Sequence, residues 1–337
     1  MMKRSNIMLI GMCAAMLAFA AGDARAQGAA APAVQKNALA PVEFLVGTWQ
    51  ADGQTPGMGK FTIYRQYQPL FGGSFIEMRE VMRGEKRNVN TRAIIGVDPL
   101  TGKLTGWSFA DDGSMTEIVL MDAPAADGVV FEGKFVAGAA PNPIRSSIKK
   151  TAAGFDEIIQ TQRGGQWTNF TTMKFAKAAG EQDFSGGISG LPPPDSPLAP
   201  LSKFAGAWLI EGENDGQKFV VEYAFQWALG GRFMTTTYSV GMGGAPQLHA
   251  MSMIGYDPSA KALIQRGFNT EGSVLRARVS VAGDTLTWEG QMAGAESRGL
   301  RSTYRLTDPD TLEFTTEVKK GDTWESLGTA PMRRHKH

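Results

Sequence analysis

The sequence predicts an all-β fold: two tandem antiparallel β-barrels of roughly 8 to 10 strands each, each preceded by a short helix. Three observations carry this prediction. The chain is written twice, its apolar positions alternate with a period of two, and turn residues interrupt it at short intervals.

The duplication shows first in the stretch from Leu39 to Trp49, LAPVEFLVGTW, which returns from Leu198 to Trp208 as LAPLSKFAGAW. Gly47 and Trp49 answer Gly206 and Trp208, and the IGVDP of Ile95 to Pro99 answers the IGYDP of Ile254 to Pro258, both at an offset of 159. Leu70-Phe71-Gly72-Gly73 matches Ala228-Leu229-Gly230-Gly231 at 158. Phe131-Glu132-Gly133 matches Trp288-Glu289-Gly290, and Trp167 matches Trp324, at 157. Five islands in one order, drifting only as far as small loop insertions would move them, make a tandem repeat.

Taken in order, the chain opens with Lys3 and Arg4, an apolar run from Ile7 to Ala21, and Ala24-Arg25-Ala26. This reads as a secretory signal peptide over residues 1–26, with a core too short for a comfortable transmembrane helix. The expected location is therefore periplasmic or secreted. An alanine-rich arm follows over 27–38. The first repeat covers 39–176, a Gly/Pro-rich linker 177–197, and the second repeat 198–334. Gly186-Gly187 loosens the linker and Pro192-Pro193-Pro194 stiffens its end.

Within the repeats, Phe61 to Tyr64, Phe75 to Val81, Val129 to Phe135 and Phe155 to Ile159 alternate as strands do. Asp98-Pro99, Asp111-Asp112-Gly113, Gly164-Gly165, Gly283-Asp284, Asp308-Pro309 and Lys320-Gly321-Asp322 supply the turns. Helix is expected only at Pro41 to Leu45 and Pro200 to Phe204, where proline suits the first helical position. Strands of this number bury one face each, and closure into a barrel removes their edges.

Composition narrows the partners. The chain has 34 basic and 33 acidic residues; without Lys3, Arg4, Arg25 and Asp23 there remain 31 against 32, a net charge of −1. That balance argues against nucleic acid, and against a membrane surface once the signal is cleaved. Cys13 is the one cysteine and leaves with the signal, so packing must supply stability without disulfides. The sequence leaves the oligomeric state open.

The order of short helix, Gly-x-Trp, Leu-x-Gly-Gly and Ile-Gly-x-Asp-Pro resembles bacterial lipocalin-like domains of unknown function, which are similar to calycin and nitrobindin-type barrels. The resemblance covers both repeats. It implies a small barrel with an internal cavity and brings no settled activity. Nitrobindin-like barrels hold haem through a histidine, whereas the first repeat has none and the second has His249 alone. The barrel carries over and the haem does not, so no cofactor is expected.

Candidate cavity residues come from comparing strand faces of the two repeats, some exchanged and one aromatic position kept. Arg92 aligns with Met251, and Trp107 and Phe109 align with Arg266 and Phe268. His249, Met251 and Met253 share one face of a strand. Imidazole and thioether suit Cu(I), but Met-x-Met on a buried face is ordinary packing, and no metal is expected. These eight residues, Arg92, Trp107, Phe109, His249, Met251, Met253, Arg266 and Phe268, are the candidate lining of the lumens. No nucleophile elbow, phosphate loop, dinucleotide fingerprint or zinc-protease pair occurs, and no catalytic residue is named. The expected function is an exported binding protein that carries a small hydrophobic or amphipathic molecule in one or both cavities. The alternatives are a structural or protein-interaction module with filled barrels and a carboxylate-based enzyme, which would leave no motif.

Overall fold

A computed structural model describes residues 38–55, 57–121, 127–184, 190–214, 216–242 and 245–335. The expected signal peptide and most of the arm lie outside these residues.

The chain forms two closed antiparallel barrels of ten strands each. The first consists of β1 (Gly47–Thr55), β2 (Gly59–Leu70), β3 (Phe75–Gly84), β4 (Asn88–Asp98), β5 (Lys103–Ala110), β6 (Met115–Leu120), β7 (Gly128–Val136), β8 (Asn142–Lys150), β9 (Gly154–Arg163) and β10 (Gln166–Lys177). The second consists of β11 (Gly206–Asn214), β12 (Gln217–Ala228), β13 (Phe233–Met242), β14 (Ala245–Asp257), β15 (Ala262–Asn269), β16 (Val274–Ala282), β17 (Thr285–Ala293), β18 (Arg298–Asp308), β19 (Thr311–Lys320) and β20 (Thr323–His335). Every strand pairs with its chain neighbour, and β1–β10 and β11–β20 close the circles. Closure leaves neither barrel with an open edge, as the strand count required.

The two expected helices are 3₁₀ turns, Ala40–Leu45 and Ala199–Phe204, each with proline in its first turn. Each leads into a Gly-x-Trp latch. The Trp49 indole donates to the Leu45 carbonyl at 2.6 Å, and Trp208 donates to that of Phe204 at 2.9 Å. A cation from the last strand covers each ring: Lys177 Nζ lies 3.7 Å from the Trp49 centroid, and the Arg334 guanidinium lies 4.1 Å from that of Trp208. The glycines follow from this arrangement. Gly47 and Gly206 have φ of 131° and 127°, and a Cβ on either would collide with Lys177 or Arg334.

The glycines of the Ile-Gly-x-Asp-Pro islands do something else. Gly96 pairs with Phe75, and Gly255 with Phe233. Each phenylalanine ring lies across its glycine so closely that a Cβ there would overlap the ring. Both rings belong to a core outside either lumen.

That third core holds Phe75, Ile94, Trp107, Phe109 and Met115 from the first barrel, with Phe233, Met251, Met253, Phe268 and Val274 from the second. It is the seam between the barrels. Phe75 meets Phe268 edge-on at 5.4 Å, and their counterparts Phe233 and Phe109 also meet at 5.4 Å. Contacts between aligned positions recur along it: Arg92 Nη2 lies 3.5 Å from Met251 Sδ, and Arg276 donates to Glu117 at 2.8 Å, each pair 159 residues apart. A surface that meets its own copy in this way has the geometry of a twofold, isologous interface.

Candidate functional site

The eight sequence candidates stand apart from the lumens, and this corrects the expected lining. Arg92, Trp107, Phe109, Met251, Met253, Arg266 and Phe268 point outward and lie at the seam, while His249 is exposed at its edge. The reason is strand phase. On β4 the lumen takes Ala93 and Ile95, and on β14 it takes Leu248 and Ile254, so the neighbours of these residues face the other barrel. Trp107 and Phe268 pack at 5.2 Å, Arg266 reaches Glu117 at 3.5 Å, and Arg276 bridges to Asp98 at 2.7 Å. Each is a structural contact joining the halves. The sequence shows only that Ala93-Ile94-Ile95 is apolar on both faces, as in a strand buried on both sides, and not which face meets the other barrel.

The chemistry inside the first lumen lies elsewhere. Phe61, Ile63, Arg65 and Tyr67 are the inward residues of β2, and Arg65 therefore stands inside although it is charged. Its Nε donates to Glu80 Oε2 on β3, and its Nη1 donates to Glu157 Oε2 on β9, both at 2.5 Å. Ser146 on β8 donates to Glu157 Oε1 at 2.6 Å. The guanidinium also lies 4.6 Å from the Phe175 centroid. All four residues of this cluster are buried; Glu80 is 8% exposed, Arg65 7% and Glu157 5%.

Its electrostatics follow from position. Burial opposes the Arg65 charge, but Glu157 and Glu80 outweigh it and hold the guanidinium firmly protonated. The Tyr67 phenol is pushed up to about 12 by burial, against the pull of Arg65, so it keeps its proton. Removing Arg65 would leave two buried carboxylates without their countercharge.

The second barrel replaces this cluster with aromatic rings. By the alignment, Tyr223 stands for Arg65, Tyr238 for Glu80, and Phe314 for Glu157. Tyr223 lies 5.5 Å from Tyr238 and 5.4 Å from Tyr304, and Tyr304 stacks on Phe314 at 4.8 Å. Burial raises the phenol pKa of both Tyr223 and Tyr304. Thr236, Ser252 and Gln265 complete a small hydrogen-bonded group within it, at 2.6 and 2.7 Å.

The lumens also differ in access. Ser108, Thr116, Ile118, Ile144 and Ile159 face the first lumen and are half-buried, whereas their counterparts Gly267, Leu275, Ala277, Leu300 and Thr316 are buried. The half-buried set lies on the side of the cluster away from the latch. A lining that a water-sized sphere can touch borders open space, and a lining it cannot touch is filled. An open groove of about 590 Å³ on the second barrel lies between Tyr256, Arg278 and Glu289. Its charged groups, Lys261, Arg278 and Glu289, are exposed, and it has no part in the lumen chemistry. No group of three or more His, Cys, Asp or Glu able to hold a metal occurs among the described residues.

A family model described as a protein of unknown function, DUF1579, matches residues 194–334, the second repeat. No curated protein matches the chain. A protein of unknown function of the DUF3598 family from Nostoc punctiforme aligns at 14% identity, covering 87% of this chain and 97% of its own, with a TM-score of 0.20. A candidate AttH from Nitrosomonas europaea aligns at 9% identity, covering 85% of this chain and 91% of its own, with a TM-score of 0.12. Superpositions this loose carry no inference about ligand or reaction. The chain consists of tandem barrel domains of unknown function.

Proposed function

We propose that the protein is an exported small-molecule binder in which the first barrel takes the ligand and the second serves as a filled, structural partner. One observation carries this reading: five lumen-facing positions are half-buried in the first barrel and buried in the second. Barrel mouths are frequent ligand sites, and a mostly apolar wall with a few fixed polar groups is the usual composition of a small-molecule pocket. Ile118, Ile144 and Ile159 supply such a wall, and the Glu80–Arg65–Glu157 cluster supplies the polar floor. The export reading rests on the charged start, short apolar core and Ala24-Arg25-Ala26 of the N-terminus.

Native mass spectrometry of the mature protein purified under mild conditions tests this. The expected spectrum shows an added small-molecule mass that disappears in Ile118→Trp, whose indole would fill the first lumen, and persists in Thr316→Val in the second. A protein that carries no added mass and takes up no octanol would overturn the reading.

A further inference from the structure

We infer that the first lumen selects a molecule with a protonated amine head on an apolar body. This inference rests on the reading of that lumen as a ligand site. The formal charges of the floor are one positive, on Arg65, and two negative, on Glu80 and Glu157, a sum of −1 in a buried setting. A net buried charge is costly unless something answers it.

The hydrogen bonding points the same way. Arg65 already serves Glu80 through Nε and Glu157 through Nη1, and Phe175 covers its guanidinium. Both oxygens of Glu157 are occupied, one by Arg65 and one by Ser146. Glu80 is different: its Oε2 is bound to Arg65, while no described residue donates to its Oε1, which is not among the molecule's solvent-sealed unpartnered atoms and so borders accessible space, although the side chain is 92% buried. An ammonium group would supply the missing donor and the missing positive charge in one contact. A carboxylate head would meet two like charges and a guanidinium already engaged. The half-buried Ile118, Ile144 and Ile159 would hold the apolar body, with Thr91, the cross-strand partner of Glu80, at its side.

Calorimetric titration of the full mature chain with octylamine, octanol and octanoate tests this. The three share a tail and differ in head charge. Octylamine is expected to bind at least about tenfold tighter than octanol, the factor for one added charge-assisted hydrogen bond. Glu80→Gln is expected to erase that preference, octylamine then binding within about threefold of octanol. Thr91→Arg places a cation opposite Glu80 without touching the cluster itself, and it is expected to erase the preference even if Glu80→Gln does not fold. Octanoate binding as tightly as octylamine, or an amine preference that survives both substitutions, would overturn the amine reading and leave the lumen site standing. If none of the three ligands binds, both readings fall.

Discussion

Glu77 shows how one residue can serve the seam rather than a lumen. Its carboxylate is almost wholly buried, and burial alone would raise its pKa; Arg92 and Arg79, with a hydrogen bond from Gln68, overcome that and hold it below the ordinary 4.5. A carboxylate depressed in the folded state contributes stability that is full above its unfolded pKa and is lost as the pH falls through the folded value. The urea midpoint should therefore be higher at about pH 6 than at about pH 3, and Glu77→Gln should flatten that difference. An unchanged slope would mean that Arg92 and Arg79 do not act on Glu77 in solution. The eight sequence candidates belong to this scale too. Most of them are places where the repeats differ, but difference alone carries no information about which face a side chain takes.

At the scale of elements, much was legible. Period-two alternation, turn residues and the proline-led helices anticipated strands and 3₁₀ turns where they occur, because each rests on local backbone chemistry. The strand phase around Ile94 and Met253 was not legible, since both faces there are apolar and alternation loses its contrast. The lumen cluster had a readable signal that was missed: Arg65, Glu80 and Glu157 sit in phase with apolar neighbours, and the second repeat puts aromatic residues at all three positions. The latch was anticipated as a repeated Gly-x-Trp, but its covering cation was not, because Lys177 and Arg334 come from the far end of each repeat. Trp49→Phe keeps the ring and removes the N–H donated to Leu45. It should lower the unfolding free energy by about 1 to 2 kcal/mol, read by chemical denaturation, as expected for an unmade buried hydrogen bond.

For the whole molecule, the seam decides whether two barrels behave as one. Trp107 is 1% exposed and packs on Phe268 at 5.2 Å, with the Arg276 guanidinium 5.8 Å from its ring. Trp107→Ala should cost about 3 to 5 kcal/mol, the range for truncating a large buried aromatic residue. It should also uncouple the halves, so that scanning calorimetry resolves two transitions in place of one. A single transition merely shifted to lower temperature would show that the linker or other contacts hold the barrels together.

The near-twofold seam has a further consequence. Two identical chains meeting through this face would have to carry the same lumen twice, so a charged floor would appear in both barrels or in neither. Joining the two copies in one polypeptide lifts that constraint. Arg65, Glu80 and Glu157 can change one barrel while Tyr223, Tyr238 and Phe314 keep the other solid. A chain paired with its identical copy has no such freedom.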